Sequence, residues 1–530
     1  MATNKKQSFF GGAAVLAFGI ALVKVIGALF AIPLFNILGE GGAADFNNAY
    51  NIYAALLTVS TAGLPVALSK MVSEANALGR ERQARRVFRV SFAAFLTLGV
   101  LSFAIMWWGS GFCAGLLHNP NAAYGIRVLA PAVVCVGCLS AFRGYAQGNF
   151  RMTPTAVSQI IEALCKLFVG LALAYYLLKV AGRSASIAAA GAIAGVTSGT
   201  ILALCYMALN YLRHRTKPTT SDVPDKASAI LKRLIAIAVP ITLSSSMVSV
   251  ITIIDTSLVQ GQLQNALGYT LEHTRKLYGT YSASMKLYNL PASLMVALTA
   301  SVIPTVSASL ARHDRAGTAR VVNSSLRVTA LLAFPMGLGL WSLAEPIMHL
   351  CYPRYDSALG GSLLATLGIA SLFVCVMLIT NSILQAHGRV SVPILTMLIG
   401  GIAKIAFNYH FSAVPSINIH AAPMGTLVCF AISALLNLVF VYRTMEDKPD
   451  YLALFCKPLL ASLLMAFCAR GVYALLHGRL ALGGLVSVAG AVGSAVVVYF
   501  VLVLALQIIT AEDLSLLPKG DKVAKVLRIR

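Results

Sequence analysis

Apolar residues run along this chain in long blocks, separated by short stretches where lysine, arginine, glycine and proline collect. The blocks cover about 11–37, 46–69, 88–113, 124–147, 154–179, 184–211, 230–259, 281–306, 325–350, 359–386, 391–411, 420–442, 452–476 and 481–509. Each reaches the roughly 20 residues that a helix needs to cross a hydrocarbon core. The pattern predicts an all-α polytopic membrane protein of about fourteen transmembrane helices.

Composition narrows the solvent. The 530 residues are 58% hydrophobic and 11% charged, whereas a soluble chain carries about a quarter charged residues. So few charges cannot coat a soluble protein of this length. The first block follows Lys5 and Lys6 and imitates a secretory signal. It runs on to Leu38 with Lys24 embedded and no cleavage site, which predicts a retained first helix.

The formal charge of +23 sits in alternate loops rather than on one basic face. Most of the 41 basic residues fall at Lys5/Lys6, Arg80–Arg89, Arg143/Arg151, Arg213–Arg233, Arg312–Arg320, Arg389, Arg443/Lys448 and Lys519–Arg530, against about seven in the opposite loops. This predicts that both termini are cytoplasmic, with extra attraction to anionic membrane lipids. Nucleic acid is not an expected partner.

The ten cysteines follow no framework spacing. Cys165, Cys205, Cys375 and Cys429 lie inside apolar blocks, as does the Cys135-x-x-Cys138 pair, and read as small packing residues. Gly39-x-Gly41-x-x-Ala44 resembles a dinucleotide loop, but no βαβ unit surrounds it. The sequence contains no Walker A loop, H-E-x-x-H or G-x-S-x-G. No catalytic residue, metal or cofactor is expected.

An internal repeat is present. AGLPVALS (62–69) leads into ARRVFRVS (84–91), as ASVIPTVSASL (300–310) leads into ARVVNSSLRV (319–328). GNFRMTP (148–154) likewise parallels GRVSVP (388–393). The prolines share one offset, 304 − 65 = 239 and 393 − 154 = 239. Both copies start and end on the same side, so the duplication is parallel, an arrangement of transporters whose substrate site lies between the halves. The expected organisation is 1–218 and 219–445 as two six-helix lobes, 446–511 as two further helices, and 512–530 as a basic cytoplasmic tail.

Ionisable residues inside membrane helices point to function by default. The candidates for substrate contact are Lys24, Glu162, Lys166, Asp255, Lys286 and Lys404, with Asp45 and Arg127 nearer the outer helix ends. Lysines outnumber carboxylates, which favours an anionic headgroup. Glu162 and Lys166 are spaced i, i+4, so they form either a self-contained pair or substrate contacts. Lys404 either snorkels outward or faces a cavity. Asp255 is expected to find a lysine across the halves. Pro33, Pro65, Pro240, Pro291 and Pro304 interrupt the helices at corresponding places in the two halves, and are expected to be bending points for gating, against the plain alternative of tolerated kinks.

Three segments carry a resemblance: AYNIYAALLTVSTAGLPVALSKMVSEANALGR (49–80), FRGYAQGNFRMTPTAVSQIIEALCKL (142–167) and LYGTYSASMKLYNLPASLMVALTASVIPTVS (277–307). They are similar to the stage V sporulation protein B family of the multidrug/oligosaccharidyl-lipid/polysaccharide exporter superfamily, alongside the MurJ-type lipid II flippases. The resemblance implies a V-shaped, MATE/MurJ-like fold of two lobes plus two helices in a bacterial cytoplasmic membrane. It implies a cationic cavity for the pyrophosphate headgroup of a lipid-linked glycan, and a groove at the last two helices for the lipid tail. This chain departs from the family at Ala31, where a basic residue is common, and at Lys166, where arginine is common.

The expected function is therefore a flippase for a lipid-linked oligosaccharide or peptidoglycan precursor, driven by a coupling ion or the membrane potential, with a monomer compatible. The competing reading is a cation-coupled multidrug exporter, which requires essential carboxylates instead of lysines. A non-transporting scaffold predicts indifference to the cavity charges. A membrane glycosyltransferase lacks an outer-face carboxylate cluster.

Overall fold

The computed structural model describes residues 9–61, 63–214 and 220–508. Lys5, Lys6, Pro218 and the basic tail lie outside them, as does the side chain of Pro304. The described residues are helical without strands. In chain order the α-helices are α1 (Phe9–Thr61), α2 (Leu64–Ala77), α3 (Glu81–Trp108), α4 (Ser110–Leu116), α5 (Ala123–Gly148), α6 (Thr153–Tyr175), α7 (Ala185–Arg213) and α8 (Ala227–Asn265). There follow α9 (Leu271–Ala311), α10 (Arg315–Ser342), α11 (Ala344–Cys351), α12 (Ser357–Ala386), α13 (Ser391–Phe411), α14 (Ala421–Thr444), α15 (Tyr451–Tyr473) and α16 (Gly484–Ala505).

Eleven helices among the described residues are long and apolar enough to cross a membrane, against about fourteen expected. The expected helix 11–37 and most of the expected helix 46–69 are the two arms of α1, which breaks at Gly39, and the end of the second lies in α2. The helices α8 and α9, of 39 and 41 residues, are not among the eleven. The outward faces match a lipid solvent: Phe112, Phe168, Leu485 and Val496 are all well exposed. This is a multi-pass membrane protein.

The break in α1 is Gly39, at φ 69°, a left-handed conformation that costs glycine nothing. It turns the chain back on itself. Phe30 and Phe46 would lie about 24 Å apart along a straight helix, yet their ring centroids are 6.0 Å apart. The α1 hairpin thus sets a first arm beside a second. What looked like a weak dinucleotide motif is a chain reversal.

The chain forms two compact units, residues 1–279 and 280–530. In the first, α1 packs on α5, α6, α7 and α8. The α6–α7 contact is close, with no room for a Cβ on Gly195 against the Gly170 backbone. Pro65 sits in the first turn of α2, where its missing N–H is harmless, so it starts a helix instead of kinking one. Pro304 lies within the continuous α9, so the two repeat landmarks are built differently. Pro33 and Pro240 lie inside α1 and α8, which continue through them.

The 220–226 segment folds back onto α3. Asp222 accepts from the Arg82 and Gln83 amides at 3.0 and 2.8 Å. Gln83 pairs reciprocally with Asp225, its Nε2 donating at 2.7 Å and its Oε1 accepting the Asp225 amide at 2.7 Å. The basic run 80–89 is therefore the opening of a helix, capped from elsewhere in the chain, and not a loop. Although desolvation pushes its carboxyl up, the bonds from Thr220 and the two amides hold Asp222 below the ordinary carboxylate value. A depressed value means the contribution is present above the unfolded pKa and lost as pH falls through the folded one. Asp222→Ala should therefore speed hydrogen exchange at Arg82 and Gln83 at neutral pH. Wild type should show the same rise only on acidification below the usual carboxylate range. Equal exchange in the two proteins at neutral pH would remove the cap from the account.

In the second unit, α12, α13 and α14 are joined by a buried polar network. Thr396 donates to Asn437 at 2.8 Å, and Asn437 donates to Asn381 and Thr380 at 2.7 and 3.2 Å. Such bonds between helices hold where apolar packing has no solvent to drive it. The Tyr499 hydroxyl donates to the Leu331 carbonyl at 2.8 Å, pinning α16 to α10.

Candidate functional site

The α1 hairpin positions the charged centre of the first unit. Lys166 of α6 places its ammonium 4.8 Å from the ring centroids of both Phe30, on the first arm, and Tyr50, on the second. Each ring face offers partial negative charge to the cation. Lys166 takes part in none of the described ion pairs. It is a cation held in place without being neutralised.

Glu162 does not pair with Lys166, as the i, i+4 spacing allowed. It turns to Arg143 of α5, whose guanidinium lies 2.5 Å from its Oε2. Arg143 Nε also donates to Ser158 at 2.9 Å, and Thr200 donates to Glu162 Oε1 at 3.4 Å. The rigid guanidinium fork satisfies a carboxylate and a hydroxyl together, which a lysine point charge cannot do. A double-mutant cycle of Glu162→Gln and Arg143→Gln should give a coupling of about 2 kcal/mol in thermal stability. Additive single effects would show that the pair is not an energetic unit.

Arg143 was grouped by sequence with the cytoplasmic loop charges. The available signal was its place inside the apolar block 124–147. Phe30 and Tyr50 were invisible because their role depends on the hairpin. Lys24 is exposed on the first arm. Lys166 at Tyr50 and Arg143 thus stand against one carboxylate, Glu162, already matched by Arg143. The remaining charge is positive.

Of the six expected charges, Lys24, Glu162 and Lys166 belong to the first unit, the last two on α6. Asp255 is buried on α8 of the same unit. Lys286 and Lys404 are half-buried on α9 and α13 of the second unit.

A polar ladder joins the second arm of α1 to α8 and the start of α9. Arg275 grips Asp45 with both prongs, Nε to Oδ1 at 3.0 Å and a terminal nitrogen to Oδ2 at 2.5 Å. Asn119 donates to Asp45 at 2.9 Å, and Arg275 donates to Ser186 at 3.2 Å. Next come the reciprocal amide bonds of Asn48 and Gln260 at 3.1 and 3.2 Å, then Asn51 to Thr256 at 3.2 Å. Residues 45, 48 and 51 fall on one helical face by their spacing of three. Arg127 takes a separate partner, Ser110, at 2.7 Å.

The second unit contains an apolar groove of about 580 Å³ between α9, α10, α15 and α16. Leu290, Pro291, Leu294, Met336, Val496 and Phe500 are among its walls. One expected bending point, Pro291, therefore lines a groove. The cysteines of the described residues are all free thiols.

Residues 10–310 match the family model for polysaccharide biosynthesis proteins. The chain belongs to that family. The MatE model also matches, over residues 240–410. Its relatives include three proteins of Bacillus subtilis (strain 168). The uncharacterized membrane protein YabM is 25% identical, covering 99% of this chain and 98% of its own. The lipid II flippase MurJ is 24% identical over 83% of each chain, and stage V sporulation protein B is 21% identical over 97% and 98%. Among solved structures, a lipid II flippase MurJ in an inward closed conformation aligns at TM-score 0.67 and 14% identity, over 92% of this chain and 98% of that one. An inward-facing MATE transporter aligns at 0.67 and 13%, over 82% and 99%. The fold is that of the MATE and MurJ proteins.

Proposed function

We propose that this protein is a flippase that moves a lipid-linked oligosaccharide or peptidoglycan precursor, of the lipid II kind, across a bacterial cytoplasmic membrane. The observation that carries this reading is the centre at Tyr50, where Lys166 is oriented by aromatic faces while Arg143 occupies the nearby carboxylate. Such a centre suits an anionic diphosphate. The groove beside α15 and α16 suits a polyprenyl tail, which stays in an apolar setting as the headgroup crosses. The name carried by the MurJ relative supports the same class of cargo.

In this reading Lys24 and Lys166 hold the diphosphate, joined by Lys286 and Lys404 in the course of alternating access between lobes 1–218 and 219–445. Asp255 positions a cation, Pro33, Pro240, Pro291 and Pro304 are where the helices bend, and both termini are cytoplasmic. The protein moves its substrate and does no covalent chemistry on it. Membrane potential acting on the cavity charges biases the two facing states. Reconstitution with a headgroup-labelled lipid II analogue tests the proposal. Protected label should move across vesicles containing the folded protein, and absence of movement would refute it.

The MatE match favours one other reading, a cation-coupled multidrug exporter. Under that reading Asp255→Asn abolishes transport and neutralised lysines do not; the flippase reading requires the reverse order of severity.

A further inference from the structure

The ion pair at the end of the polar ladder stands in a definite relation to the cationic centre. Asp45 and Tyr50 lie on the same arm of α1, five residues or about 7.5 Å of helix rise apart. A diphosphate that leaves Lys166 and moves along this arm travels about that distance before it meets Arg275. The Asp45 carboxylate is 2% exposed and the Arg275 side chain 15%. Opening the ladder at this end by simple separation would strand two charges that have little access to water.

The guanidinium fork accepts carboxylate and phosphate in the same two-pronged geometry. We propose that the Asp45–Arg275 pair is a lock opened by exchange: a diphosphate headgroup takes the Arg275 guanidinium from Asp45, and the α1–α8 ladder then parts. This rests on the flippase reading above and adds to it how an empty protein is kept from opening. Through the exchange Arg275 stays paired with an anion, and Asp45 keeps the Asn119 amide. The remaining rungs, Asn48 with Gln260 and Asn51 with Thr256, are neutral. Water can replace their hydrogen bonds, so only the first rung needs a substituting anion. A ligand that binds the parted state better than the closed one shifts the equilibrium toward it.

Hydrogen exchange of the full chain in lipid nanodiscs tests this, with inorganic pyrophosphate as probe and sulfate at matched ionic strength as control. Pyrophosphate binding is measured in parallel by calorimetry. Peptides covering 45–51 and 256–264 should exchange several-fold faster with pyrophosphate and be unchanged by sulfate. In Asp45→Asn they should exchange fast from the start, with no further response. Binding that depends on Lys166 but leaves wild-type exchange unchanged or slower overturns the lock and leaves the flippase reading standing. Failure of wild type to bind pyrophosphate removes the anion-binding centre and the lock together. The wild-type arm decides the matter even where a variant does not fold.

Discussion

Lys166→Met should lower headgroup translocation by about 10–100-fold in reconstituted vesicles while the protein remains folded. The substitution keeps length and apolar bulk but removes the cation between Phe30 and Tyr50. A charge-assisted contact to a phosphate is worth about 1.5–3 kcal/mol, and each 1.4 kcal/mol is a factor of about ten. Lys166→Arg should retain most activity, because guanidinium keeps the charge, stacks on aromatic rings and adds a second prong. Phe30→Leu should fall between, since it removes one of two ring contacts and leaves the charge. Initial rates with a labelled lipid II analogue, compared at equal reconstituted protein, give the order. Full activity in the methionine variant would remove Lys166 from the binding centre.

Asp45→Asn and Arg275→Gln should each destabilise the protein by about 3–5 kcal/mol, the cost of leaving one member of a buried pair without its counter-charge. The pair is among the least exposed of the described ion pairs and is bonded at both prongs. The double variant Asp45→Asn/Arg275→Gln should recover much of the loss, because two neutral amides can bond to each other and to Asn119 and Ser186. Heating in detergent followed by size-exclusion chromatography reads the effect as a rate of loss, which suits a protein that unfolds irreversibly. Single variants as stable as wild type would show that the pair contributes no net stabilisation.

Two features of the site show where sequence reasoning reaches its limit. Glu162 and Lys166 have the spacing of a helical ion pair, and on an isolated helix that pairing is favourable. In the fold Glu162 instead meets Arg143 from α5, a residue 19 positions away, because a fixed fork outcompetes a flexible ammonium for a partly buried carboxylate. The second feature is the reversal at Gly39. A Gly-rich stretch between two apolar blocks predicts a turn, but not that Phe30 and Tyr50 both end with their rings against one lysine.

The sequence by itself determined that this is an all-α membrane protein with more lysines than carboxylates inside its apolar blocks. Those properties follow from run length and composition, which are local and additive along the chain. Only the tertiary structure decided which charges are consumed and which remain available. It matched Glu162 to Arg143, Asp45 to Arg275 and the 220–226 segment to the start of α3. In a low-dielectric interior a charge takes the partner with the best geometry within a few ångströms, and that neighbour comes from another helix.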